Sequence, residues 1–371
     1  MTRKIRVGVI FGGRSGEHEV SLMSARSVMD ALDKDKYEVI PLGITKEGRW
    51  LTTGDPMKAL QAMAAEKQDK PAPANSRELQ PMTRELLPGT GQGGIPYIDV
   101  IFPVLHGPYG EDGTLQGLLE LANIPYVGAG VLGSALGMDK AAMKAILRDA
   151  GLPVAKSILI MRWDWEEHPT AVAQRVEQEI GYPCFVKPAN LGSSVGVSKV
   201  HEAAELPAAL NLAAHYDRKM LVEQAINARE IECSVLGNDH PIASIPGEVV
   251  PRREFYDYIA KYHDEATGLV IPAPLPPQKV AEVQEMAIRA FIALDCAGMA
   301  RADFLLDRVT GKLYVNELNT IPGFTSVSMY PKMWAASGIP YPELLDRLIQ
   351  LALERHADKS RTWTSYRKDA S

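Results

Sequence analysis

At 371 residues the chain exceeds what one ordinary core organises, so two or three domains are expected. Its 46% hydrophobic and 23% charged residues are those of a soluble globular protein, and a formal charge of -6 argues against a nucleic-acid partner. Cys184, Cys233 and Cys296 stand alone, without a C-x-x-C pair, so they indicate neither a disulfide framework nor a zinc site and fit a reducing cytoplasm.

The opening MTRKIRVGVIFGG is basic and then apolar, but the run is short and meets RSGEHE at once, which reads as a first strand rather than a leader. Ile5 to Phe11 is a continuous apolar run ending in Gly12-Gly13, as in a buried parallel strand. A helix pattern from about Ser21 to Leu32 and the strand YEVIPLGI follow, and this order implies an open α/β sheet with a ligand crevice beyond its strand ends. Residues 66–94, rich in Pro and Gly, read as a surface insertion before the strand DVIFPVLHG returns to the sheet. The longest uncharged stretch, Ile124 to Met138, is too short and too rich in glycine to span a bilayer.

KAAMKAILRDAG is a helix stopped by Gly151 and Pro153. CFVKPA and VGVSKV are strands flanking a long tip, Asn190 to Ser194; a helix in AAELPAALNLAAHY and the strand MLVEQAI complete a small α+β segment. The last segment opens with the strand REIECSVLG and the polar excursion RREFYDYIAKYHDEATG. A helix from about Gln278 to Leu294, the strands ARADFLLD and LYVNELN, and the amphipathic helix PELLDRLIQLALERHA follow. A polar tail from Asp358 to Ser371 is expected to be disordered.

Two clusters carry chemistry. In KPANLGSSVGVSK, Gly192 and Gly196 free the backbone to approach an anion, and Lys187 supplies a point charge; a mobile hairpin with a solvated lysine is the plainer alternative. Glu317 and Asn319 leave one face of their strand, and a five-residue turn from Arg308 to Lys312 sets Asp303 opposite Glu317, although a one-residue slip would reverse its face. Two carboxylates and an amide oxygen form a hard set suited to Mg²⁺ or Mn²⁺ shared with nucleotide phosphates. Arg301 points the same way as Asp303 and, with a Gly323 backbone N–H, suits an oxyanion; alone it is a partner for Asp303. Glu17 either binds an ammonium group at the first sheet's crevice or starts the next helix. GGRSG lacks the dinucleotide spacing.

Together, GGRSGEHEVSL, HGPYGEDGTLQG, MDK, KPANLGSSVGVSKV, FYDYIAKY, RADFLLD and NELNTIPGFTSVS closely resemble the D-alanine–D-alanine ligases of bacterial cell-wall synthesis, in order, to about His356. The resemblance implies an ATP-grasp fold: an open parallel α/β Rossmann-like domain (1–128), a small central α+β lid domain (129–222), a C-terminal α+β domain (223–357) and the tail (358–371). It implies a cytoplasmic homodimer that uses ATP, two Mg²⁺ or Mn²⁺ ions and D-alanine, with no nucleic acid or membrane as partner. By resemblance, Lys140 and Lys187 meet the α/β-phosphates, with Gly192, Ser193 and Ser194 in the lid over them. Glu223, Gln224, Ile226 and Glu230 hold adenine and ribose; Phe255 and Asn316 belong to the same site, and Lys261 lies near the γ-phosphate. Asp303, Glu317 and Asn319 bind the metals. Glu17 takes the first substrate's ammonium, with His106 nearby, and forms a hydrogen-bonded set with Ser193 and Tyr262. Arg301 and Gly323 form the oxyanion site, and Ser328 with Met329 receives the second carboxylate. Rival readings are a D-Ala–D-Lac or D-Ala–D-Ser ligase of the vancomycin-resistance type and a non-catalytic ATP sensor. The Lys261-Tyr262 pair and the intact Arg301, Asp303, Glu317 and Asn319 favour the dipeptide-forming enzyme.

Overall fold

A computed structural model describes residues 3–52, 54–66, 97–250, 268–325 and 327–364. The 66–94 insertion apart from Glu66, and the excursion loop with Phe255, Lys261 and Tyr262, lie outside the described residues.

The first apolar run forms β1 (Ile5–Gly12), buried from Val7 onward because both faces are covered. α1 (His18–Ala31) starts three residues ahead of its pattern, because Ser21 Oγ is tied to Gly12 N (2.8 Å) and to the Val104 carbonyl at the strand ends. β2 (Tyr37–Ile44), β3 (Trp50–Leu51), α2 (Pro56–Glu66) and β4 (Val100–Pro103) follow, then α3 (Thr114–Leu121) and α4 (Val131–Met138). The sheet order is β3-β2-β1-β4. It is parallel as expected, except that β3 returns antiparallel along its edge after a turn with Gly48 at φ +89°.

Next come α5 (Lys140–Asp149), β5 (Ser157–Met161), α6 (Arg162–Glu167), α7 (Pro169–Glu179), β6 (Cys184–Pro188), β7 (Ser198–Val200), α8 (Leu206–Tyr216) and β8 (Lys219–Gln224). Strands β5-β8-β6-β7 form an antiparallel sheet with its own core beneath α7 and α8, where Val172, Val176, Leu206 and Leu210 pack on Cys184, Val186 and Val222. β7 is shorter than VGVSKV suggests, since the chain turns through residues 193–196. The boundary expected at 222/223 falls inside β8.

The third sheet contains β9 (Ala228–Gly237), β10 (Ile242–Ala243), β11 (Gly247–Val250) and β12 (Gly268–Val270), then, after α9 (Pro277–Ala293), β13 (Gly298–Asp307) and β14 (Leu313–Asn319). Its order is β12-β11-β9-β13-β14, with β10 beside β9, and α5 and α9 cover its core. α10 (Met329–Ala336) and α11 (Tyr341–Lys359) close the chain and pack with the first sheet: Trp334, Leu345 and Leu348 share one core with Val9, Phe11 and Phe102. Phe324 is held edge-on to Phe102 (5.7 Å, 86°), fixing the loop that carries Gly323. α11 runs two residues into the expected polar tail, and Lys359 at its end pairs with Glu120.

Candidate active site

Between the central and third sheets lies a cavity of about 620 Å³, lined by Lys140, Lys187, the 191–194 tip, Glu223 to Ile226, Glu230, Glu232, Arg301, Asp303, Asn316 and Glu317. That volume is in the range of a small-molecule site. Lys187 leaves β6 and meets Glu223 of β8, Nζ to Oε2 2.7 Å. Burial alone would raise the Glu223 carboxyl, but Lys144 and Lys187 overcome it and hold its pKa at about 2. For Lys187, burial opposes the charge, yet Glu223 outweighs it and leaves the pKa raised. Asp139 caps α5 by accepting from Ala141 N and Ala142 N, which starts the helix at Lys140. Lys140 Nζ then reaches the Leu191 carbonyl in the tip (2.8 Å) and stands 3.4 Å from Glu317 Oε2.

The tip is strained where no glycine stands. Ser193 and Ser194 take φ of +51° and +56°, alongside Gly196 at +71°. Gly192 is needed for approach rather than for φ: a Cβ there would lie 3.1 Å from Glu17 Oε2. Ser193 donates to Glu17 Oε1. Glu17 stands at the N-cap position of α1 without a side-chain capping bond, so it does start that helix, and its carboxylate accepts from Ser193 in the tip. His106 is buried at the end of the first sheet; its Nδ1 faces the Ile321 carbonyl at 3.2 Å and its Nε2 faces Ser24 Oγ at 3.5 Å. A carbonyl only accepts, so that contact places the proton on Nδ1.

Across the third sheet, Glu232, Asp303 and Glu317 stand in one row on β9, β13 and β14. The expected Asp303–Glu317 pairing is present but is reached by another route. Leu306 already pairs with Leu313, making the turn one residue longer, and a bulge between Asp303 and Phe304 restores the register. The extra residue is Asn316, which therefore lines the cavity beside Glu317. Arg301 forks onto Asp303, Nε to Oδ1 and Nη2 to Oδ2 both 2.7 Å, with Glu232 Oε2 3.0 Å from Nε. Burial would lower the Arg301 pKa; Asp303 and Glu232 raise it further. Asn319 Nδ2 donates to Asp303 Oδ2 at 2.8 Å, the third donor to that carboxylate.

Asp303, Glu317 and the Asn319 amide bring hard oxygen donors of the kind a divalent cation takes to one face of β13 and β14, although no group of three or more His, Cys, Asp or Glu able to hold a metal by itself occurs among the described residues. Gly323 abuts Ser328: a Cβ there would meet Ser328 Oγ at 2.7 Å. Ser328 is the N-cap residue of α10, yet its Oγ bonds Thr325, N–H at 3.0 Å and Oγ1 at 2.8 Å, rather than capping. Met329 buries its side chain against Val249 and Met333 at the start of α10. Two residues escaped the sequence reading. Lys144 lies one helical turn after Lys140, and Glu232 lies two after Glu230, so i+4 and i+2 spacing were the available signals.

A family profile described as the D-ala D-ala ligase N-terminus matches residues 6–129, and one described as the D-ala D-ala ligase C-terminus matches residues 146–350. The chain belongs to the D-alanine–D-alanine ligase family. Within it, a relative named D-alanine–D-alanine ligase from Thermoanaerobacter sp. (strain X514) is 56% identical over 363 residues, 97% of this chain and 99% of that one. Another of that name, from Heliobacterium modesticaldum, is 53% identical over 97% and 98%. Among solved structures, the D-alanine–D-alanine ligase from Coxiella burnetii aligns over 97% of each chain with TM-score 0.80 and 37% identity. The VanG D-Ala:D-Ser ligase from Enterococcus faecalis aligns at TM-score 0.80 and 39% identity, over 94% of this chain and all of that one. The fold is that of the ATP-grasp ligases, with the nucleotide-sized cavity between its two antiparallel sheets.

Proposed function

We infer that the protein is an ATP-dependent D-alanine:D-alanine ligase that makes D-alanyl-D-alanine for peptidoglycan precursors. The observation carrying this reading is the convergence at one cavity of a lysine-lined half, Lys140 and Lys187, and a half holding Arg301, Asp303 and Glu317.

The carboxylate of one D-alanine attacks the γ-phosphorus of ATP, and ADP leaves. The amine of the second D-alanine attacks the resulting acyl phosphate, loses a proton, and phosphate departs. Asp303, Glu317 and Asn319 would hold two Mg²⁺ or Mn²⁺ ions, which neutralise phosphate charge during transfer. Lys140 and Lys187 contact the α/β-phosphates, and Glu223 to Ile226 with Glu230 bind adenine and ribose. Glu17 receives the first ammonium group, a role supported by the hydrogen bond it accepts from Ser193 of the tip. By the family resemblance Tyr262 is assigned to that set and Lys261 to the γ-phosphate, both outside the described residues. Arg301, buried and held by two carboxylates, faces the oxyanion together with the Gly323 N–H. The first turn of α10, with Ser328 and Met329, takes the second carboxylate. Three buried free cysteines are consistent with a cytoplasmic setting, and no described helix is long and apolar enough to cross a membrane. We assign a homodimer on the family resemblance, which a mass measurement in solution tests.

The test is product identification from ATP, Mg²⁺ and a panel of D-alanine, D-serine and D-lactate. D-Alanyl-D-alanine should dominate, with one ADP and one phosphate per dipeptide. ATP binding without phosphate release even when D-alanine is present would favour a sensor, and a dominant mixed product would favour the D-Ser or D-Lac reading.

A further inference from the structure

The most buried lysine among the described residues has no part in the scheme above. Lys144 sits on the buried face of α5, its side chain only 2% exposed, at the seam of the two sheets that enclose the cavity. Its Nζ pairs with Glu223 Oε1 at 2.5 Å and donates to the Asn316 carbonyl at 3.2 Å, at the bulge that sets Glu317 opposite Asp303. Glu223, equally buried, is therefore shared: Lys144 holds one oxygen and Lys187 the other. An isolated buried lysine would shed its proton, and burial does push the Lys144 pKa down while the Glu223 carboxylate resists. Such a group persists where its partner needs it.

A conflict over Lys187 supplies that need. Its amine rests on Glu223, yet a nucleotide phosphate has to draw it away. If Glu223 had only Lys187, each binding event would strand a buried carboxylate, an expensive state in a low-dielectric interior. A second lysine removes the obstacle. We propose that Lys144 is a positioning residue for nucleotide binding: it keeps Glu223 paired and in place, so that Lys187 is free to move from Glu223 to a phosphate. By its bond to Asn316 the same amine ties this exchange to the strand that carries Glu317. The inference rests on the assignment of Lys187 to the phosphates.

The experiment measures calorimetric affinity for the non-hydrolysable analogue AMPPNP with Mg²⁺, together with steady-state kinetics, on the parent, K144M, K144R, E223Q and K144M/E223Q. In K144M one glutamate still faces one lysine, so the pair stays neutral and folding is retained; if that variant does not fold, K144Q replaces it in every comparison. Affinity should fall at least about tenfold in K144M, with the loss on KM for ATP greater than on kcat, and K144R should recover most of it. In the E223Q background the carboxylate is neutral and Lys187 has nothing to leave, so adding K144M should cost less than about threefold. A merely structural lysine predicts the same cost in both backgrounds, and that result overturns the proposal. So does an affinity unchanged in K144M while the parent binds, whereas failure of the parent itself to bind AMPPNP would overturn the ligase reading beneath it.

Discussion

Glu317 stands between two demands. Asp303 faces it across the strand pair, and Lys140 Nζ lies 3.4 Å from its Oε2. In Glu317→Gln the amide keeps the shape, and Lys140 keeps its bond to the Leu191 carbonyl, so the fold should survive. Turnover should fall at least about a hundredfold, because the anionic oxygen that would hold a divalent cation against the transferred phosphoryl group is lost. Steady-state rates with circular dichroism check both halves, and activity within about tenfold of the parent would remove Glu317 from the metal set. Position 317 was legible because i and i+2 share a strand face whatever the neighbour does. The pairing with Asp303 was legible by a compensation: one extra turn residue and one bulged residue cancel, and neither leaves a mark in the local pattern. Lys144 was illegible for another reason, since its partners Glu223 and Asn316 lie on strands distant in sequence.

The 190–196 tip is the element for which low local stability is expected. Its backbone has two long internal bonds, Val195 N to Gly192 O at 3.2 Å and Val197 N to Ser194 O at 3.3 Å, and two non-glycine residues with left-handed φ. Its anchors are borrowed: Asn190 from Asp217, Leu191 from Lys140, Ser193 from Glu17. Such an element opens at little cost. Hydrogen exchange across 190–196 should slow markedly when ATP and a phosphorylated substrate mimic are added together, and equal protection with and without them would end its role as a lid. The sequence announced this hairpin through its glycines but assigned them one job. Gly196 does carry a positive φ, whereas Gly192 gives room to Glu17, a residue at the start of α1 that local pattern cannot see.

At the scale of the molecule the cores do not follow the chain order. The first sheet shares its core with α10 and α11, and Arg355 of α11 bonds the carbonyls of Tyr126 and Gly128, so the two ends of the chain are joined into one body. The central sheet keeps a separate core that contains Cys184, while Cys233 and Cys296 lie in the core of the third sheet. The central unit is expected to open first, because its core is small and separate from the other two. The thiols report this directly. Burial pushes their pKa values up, Cys184 to about 11 and the other two to about 12, so at pH 8 scarcely any thiolate exists until a core opens. All three should resist iodoacetamide in buffer. In rising urea, Cys184 should be alkylated at a lower concentration than Cys233 and Cys296, read residue by residue by mass spectrometry. Adding AMPPNP with Mg²⁺ should bring its onset toward theirs, because a ligand held by Lys187 and Glu223 on one sheet and by Glu230 and Asp303 on the other stabilises the closed state. Simultaneous labelling of all three thiols without nucleotide would mean that the cores melt as one, and the central unit would then be no more independent than its neighbours.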